Sequence, residues 1–283
     1  MSYLIWLGIV LVVSIAVVAG AYVLVSHRSP KGGYKDQTPH DLYALTSGAM
    51  ALLVAFTFGV AFGNFTDMRT QLRTEEAAVL SMYRYAALLP EPVGQTLRND
   101  SLCYAQLVIK DEWPTMEAGE VPLFNSTTTL VEDIQQTLIK NNDAESALSK
   151  SPYLSTWIAA NTQRADARLI RISSATNGTI PITMWILLII GAILSIAALF
   201  IYADRDKPKW GHVLVVVGPV FIAVSALMVI YLLSRPFLPV PGALTSEGFQ
   251  KELAVMQHEA VLQSENPTPA CPGDTATQKA FGN

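Results

Sequence analysis

The sequence predicts an all-α membrane protein: four transmembrane helices, with a helical bundle inserted between the second and the third. Of 283 residues, 51% are hydrophobic and 15% charged, against about 25% charged in a soluble domain, and the mean hydropathy is +0.34. Four stretches, residues 3–25, 45–65, 182–203 and 212–234, exceed the roughly 18 apolar residues a crossing needs. Between the second and third, residues 66–181 show helical periodicity and no sustained period-two pattern. A net charge of −4 without a dense basic patch argues against a nucleic-acid partner.

The first apolar stretch carries Ala19-Gly20-Ala21, which resembles a signal-peptide cleavage site. No basic residue precedes it, however, and the run continues through Tyr22, Val23, Leu24 and Val25, so it reads as a retained helix. The second crossing organises the chain. It starts in TSGAMALLVAFTFGVAFGNF and continues without proline through TDMRTQLRTEEAAVLSMYRYAALL to Pro90, so a stalk helix continuous with the crossing is expected. Phe58, Phe62 and Phe65 share one face at i, i+4 and i+7, and Arg69 and Glu76 extend it beyond the apolar part. The rings suit a hydrophobic pore neck; packing on lipid or a neighbouring helix is the ordinary alternative. Gly59 and Gly63 have the small-xxx-small spacing that admits a second helix backbone.

The inserted region, 66–181, divides at its prolines. After Pro90-Glu91-Pro92 comes a helix with Leu97, Leu102, Leu107 and Ile109 inward, kinked or closed at Trp113 by Pro114. Ser126 to Thr129 form an N-cap cluster for the next helix, which ends or breaks near Asn141 to Asp143. Ser151-Pro152 opens the last helix, broken by Asn177-Gly178. On it Arg164, Arg168 and Arg171 recur at i, i+4 and i+7, facing Glu75 or Glu76 of the stalk, solvent, or an ion vestibule. Past the fourth crossing, 235–263 holds a short amphipathic helix, and 264–283 has the composition of a disordered tail.

Two short loops carry Arg28, Lys31 and Lys35, and Arg205, Lys207 and Lys209. The positive-inside rule makes them cytoplasmic, which leaves residues 66–181 and both termini outside a cell membrane, most simply a bacterial inner membrane. Cys103 and Cys271 then share the exported side, where a disulfide can persist; a buried hydrophobe plus a free tail thiol, or an intermolecular bond, are the alternatives. The scattered histidines His27, His40, His212 and His258, with no paired C-x-x-C, H-E-x-x-H or G-x-S-x-G motif, point to no metal, no cofactor and no enzyme. Asp111-Glu112 reads as a solvated acidic pair rather than a catalytic dyad.

Glu76-Ala77 after the second crossing, Tyr104 ahead of Asp111-Glu112-Trp113-Pro114, Arg168-Leu169-Ile170-Arg171 ahead of Ile180-Pro181 and Trp185, and Arg235-Pro236-Phe237 past the fourth crossing occur in one order over nearly the whole chain. In these the sequence resembles the bestrophin-like family of mostly bacterial integral-membrane proteins. Pro239 stands where that family usually has a glycine. True bestrophins, which the family's name invokes, are calcium-gated pentameric anion channels with a cytosolic extramembrane domain. The resemblance implies an oligomer with a neck on the second crossing. Calcium gating is not carried over, because no acidic D-x-D-x-D cluster is present. Three functions follow as expectations. The first is a homo-oligomeric, ion-conducting pore in the lipid bilayer, conducting a small inorganic ion. The second is a non-conducting scaffold or sensor whose external bundle binds a partner. A transporter is disfavoured, since neither an internal repeat nor an intramembrane charge is evident.

Overall fold

The computed structural model describes residues 8, 9, 12–14, 16, 20, 38–122, 125–141, 143, 146–202 and 209–271. The expected first crossing, both basic loops apart from Thr38 to Asp41 and Lys209 to Gly211, and residues 272–283 lie largely or wholly outside them. Among the described residues every regular element is helical. They comprise α1 (Thr38–Ala86), α2 (Val93–Leu107), a π-helical turn (Val108–Glu112), α3 (Trp113–Glu117), α4 (Ser126–Asn141), α5 (Leu154–Asn177), α6 (Ile182–Tyr202), α7 (Lys209–Ser234) and α8 (Glu247–Leu262). Three of these, α1, α6 and α7, are long and apolar enough to span a bilayer. The chain divides into two compact units, one of Met1–Phe65, Gly178–Arg235 and Pro239–Ala243, the other of Thr66–Asn177, Pro236–Leu238 and Leu244–Asn283.

The first unit is built as hydrocarbon requires. Large apolar side chains such as Ile182, Ile186, Ile190 and Ile193 stay exposed, because lipid takes the place of a protein core. Inside, Met50 packs with Leu188 and Ala192, and Ala61 with Ile180 and Ile230. Small residues set the spacing: a Cβ on Gly191 would come within 2.8 Å of Met50 Sδ. Polar groups that water cannot reach find partners within the protein. Thr57 Oγ1 donates to Leu53 O at 2.8 Å, Ser195 Oγ to Thr46 O at 3.3 Å, and Asn64 Nδ2 to Thr179 O at 3.2 Å.

The second unit is a helical bundle with a seam legible in heptad spacing. On the stalk part of α1, Met68, Leu72, Glu75, Val79, Met82 and Ala86 are all buried, at alternating steps of four and three. On α5 the buried series is Trp157, Ala160, Arg164, Ala167 and Arg171, at steps of three and four. After Pro90 the chain doubles back so tightly that a Cβ on Gly94 would meet Ala86 O and Leu89 O at 2.7 Å, which only glycine tolerates.

Several expectations are corrected here. Of the kink or closure expected at Pro114, closure at Trp113 does not occur: a π-helical turn, Val108–Glu112, leads into α3, which runs through Pro114 to Glu117. Val108 is fully buried and Ile109 only half-buried, so the inward position falls on Val108, in step with the buried Ser101 and Tyr104. The cap of α4 is Asn125, whose Oδ1 accepts from Thr128 N at 3.1 Å, rather than the Ser126 to Thr129 cluster. In the turn that follows Pro239, Gly242 takes a positive φ of +87°, and Leu244 N donates to Pro236 O at 2.8 Å. Residues 264–271 of the expected disordered tail are held in place: Glu265 pairs with Arg98 at 2.8 Å, and a disulfide joins Cys271 to Cys103.

Candidate functional site

Charge in the seam of the second unit forms its densest chemistry. The fully buried Arg171 reaches two carboxylates, donating from Nε to Glu75 Oε2 at 2.7 Å, from Nη2 to Glu75 Oε1 at 2.8 Å, and from Nη2 to Glu112 Oε2 at 2.6 Å. Tyr104 donates its hydroxyl to Glu75 Oε1 at 2.6 Å. Arg168 donates to Glu112 Oε1 from Nε at 3.0 Å and from Nη2 at 2.5 Å, and its Nη2 also reaches Thr128 Oγ1 at 3.1 Å. The planar guanidinium fork suits such two-point pairing with a carboxylate.

Electrostatics follow from burial and these contacts. Burial opposes ionisation of Glu112, yet the Arg171 and Arg168 guanidiniums outweigh it and hold the carboxyl below the usual carboxylate range. Burial likewise works against the charge of Arg171, but Glu75 and Glu112 hold it well above the ordinary value. Burial, then the Glu75 carboxylate, push the Tyr104 phenol up, so it stays a donor. The arrangement is a charged clamp between the stalk, the α2 segment and α5.

The expected network is therefore partly reassigned. Glu75, Arg168 and Arg171 meet. Glu76 does not join them, because adjacent helical residues point about 100° apart and only Glu75 lies in the seam. The Glu76 carboxyl lies over Gly248 of α8, where an added Cβ would fall 1.9 Å from its Oε1. There burial, Glu252 and Glu75 push it up to about 7, against the pull of Arg73 and Lys251. Arg69 is exposed. Arg164 is buried against the Tyr104 ring, its guanidinium carbon 4.9 Å from the centroid. Glu112, expected to be solvated, is fully buried. Its signal was spacing: it lies four residues after the buried Val108, on the same helical face.

In the first unit Phe58 and Phe62 stack with centroids 6.2 Å apart and are 42% and 51% exposed. Phe65 is half-buried, so the three rings are not equivalent. Phe58 also edges an apolar cavity of about 710 Å³ between α1, α6 and α7, with Met50, Val54, Ile196, Ala223 and Val229 among its walls. A Cβ on Gly59 or Gly63 would meet nothing within 4 Å. Among the described residues, no group of three or more His, Cys, Asp or Glu side chains is placed to hold a metal ion.

The fold is similar to solved membrane proteins. A bacterial bestrophin homolog from Klebsiella pneumoniae matches with TM-score 0.63 at 13% identity, over 93% of this chain and 100% of that one. Crystal structures of a membrane protein carrying a glycine-to-alanine and a proline-to-alanine substitution match with TM-scores of 0.66 and 0.62, at 13% and 14% identity, each over 90% of this chain and 99% of theirs. No curated protein matches the sequence. The model of the bestrophin-like domain matches residues 6–238, a span that takes in the stalk, Tyr104, the Glu112-Trp113-Pro114 turn and the paired arginines; the chain belongs to the bestrophin-like family.

Proposed function

We propose that the chain is a homo-oligomeric ion channel of the cell membrane, suited to a small anion, with its neck on α1. The observation that carries this reading is the stacked, exposed Phe58–Phe62 pair, on a helix whose Gly59 and Gly63 leave room for another backbone. Apolar rings on a shared axis close a pore by dewetting. Glycine spacing supports assembly, and the family match supports the channel class. The Cys103–Cys271 disulfide supports an exported position for residues 66–181, because such bonds persist in oxidising compartments. A bacterial inner membrane, with both termini outside, completes the proposed topology.

The test is conductance of the purified protein in planar bilayers, paired with its mass in nanodiscs. Phe62→Ser should wet the neck and raise basal conductance while the oligomer persists. A strict monomer, or silence of both wild type and Phe62→Ser in folded oligomers, refutes the channel and leaves a membrane scaffold or sensor whose external bundle binds a partner.

A further inference from the structure

Arg164 differs from every other buried arginine of the bundle. Arg171 and Arg168 have Glu75 and Glu112, and Arg98 has Glu91 and Glu265. Arg164 is 2% exposed and has no carboxylate within ion-pairing distance among the described residues. Its Nε and Nη2 both donate to the single Asn161 Oδ1, at 3.0 and 2.9 Å. Its Nη1 is buried with no hydrogen-bond partner among the described residues. A guanidinium cannot shed its proton to relieve this, and an unpaired buried charge is costly.

The neighbouring carboxylates are already committed. Glu75 accepts from Arg171 and Tyr104, and Glu112 from Arg168, Arg171 and Asn125. Three guanidiniums against two carboxylates leave the cluster with one positive charge. Tyr104, protonated and donating to Glu75, does not offset it.

We propose that Arg164 Nη1 is the binding point of a small inorganic anion of halide size, held in the bundle between α5 and the Tyr104 segment of α2. The Nη1 hydrogens are its donors. Asn161 is half-buried, and its oxygen is taken up by the Nε/Nη2 edge of the guanidinium, which leaves Nη1 unserved. The anion neutralises the cluster and stabilises the bundle. This site is a resident one and stands whether or not the chain conducts.

The experiment uses the full chain in detergent, exchanged into gluconate and titrated with chloride or bromide at constant ionic strength. Bromide-grown crystals supply anomalous scattering in parallel. The expected results are a saturable rise in melting temperature with halide and a bromide peak beside Arg164 Nη1. Arg164→Gln should abolish the halide dependence, whereas Arg84→Gln, at an exposed pair, should keep it. Should Arg164→Gln fail to fold, the wild-type titration and bromide peak decide alone. A halide-insensitive melting temperature, bromide only at other places, or water alone at Nη1 overturns the proposal.

Discussion

Replacing Arg171 with Gln tests the clamp most directly. The substitution leaves Glu75 and Glu112, both with fully buried side chains, short of a counter-charge: Glu112 keeps Arg168, while Glu75 keeps only the Tyr104 hydroxyl. Breaking a buried pair from one side costs about 3–5 kcal/mol, whereas an exposed pair contributes about 0–1 kcal/mol. At roughly 2–4 °C per kcal/mol for a chain of this order, the expected fall in melting temperature is about 6–20 °C. The assay is thermal unfolding in detergent, with Arg84→Gln as the reference, since the Arg84–Glu259 pair is 54% and 26% exposed. The double variant Glu75→Gln/Arg171→Gln should lose less than the sum of the single losses. Strictly additive losses, or a fall no larger than that of Arg84→Gln, would refute the clamp. The pH dependence has a definite sign. A folded-state pKa held below the unfolded one, as for Glu112, gives stability that is present above the unfolded value of about 4.5 and lost as pH falls through the folded one.

Three further outcomes are expected. Glu76 titrates the opposite way: its folded pKa of about 7 lies above the unfolded 4.5, so wild-type stability falls as pH rises through that window, and Glu76→Gln should be stabilising at pH 8 and near neutral at pH 5 in melting curves. Proteolysis under non-reducing conditions should yield a Cys103–Cys271 linked peptide; reduction should destabilise the protein by up to about 5 kcal/mol, the loop-entropy figure for a separation of 168 residues, and two freely alkylated thiols in protein kept from reductant would contradict the bond. A cysteine at Lys140 should react with impermeant maleimide in intact cells and one at Lys35 should not; the reverse pattern inverts the topology.

The membrane class, the unbroken α1 and the break at Gly178 were legible because hydropathy and proline placement act locally. The clamp was only half legible. Arg168 and Arg171 stood out as a charged repeat, but choosing Glu75 over Glu76 needs the heptad phase of Met68, Leu72, Val79 and Met82, which grouping by adjacency ignores. Glu112 was missed because Ile109, rather than Val108, was taken as the inward position; counted four residues on from Val108, it falls on the buried face. Arg164 looked like its neighbours, since a missing partner is a property of three dimensions. Phe65 was grouped with Phe58 and Phe62 by spacing alone, which does not say how deeply each ring sits.

The bond between Cys103 and Cys271 makes a covalent ring of the chain that encloses α3 to α8 and the C-terminal part of α2. Both later crossings, α6 and α7, are inside that ring. A single backbone cut anywhere within it, in the turn after Gly119 for instance, leaves the two fragments tethered. Tension applied at the C-terminal end runs from Cys271 straight to Cys103 on α2, so pulling the tail loads α2 and the chain before it while α6 and α7 stay outside the line of force.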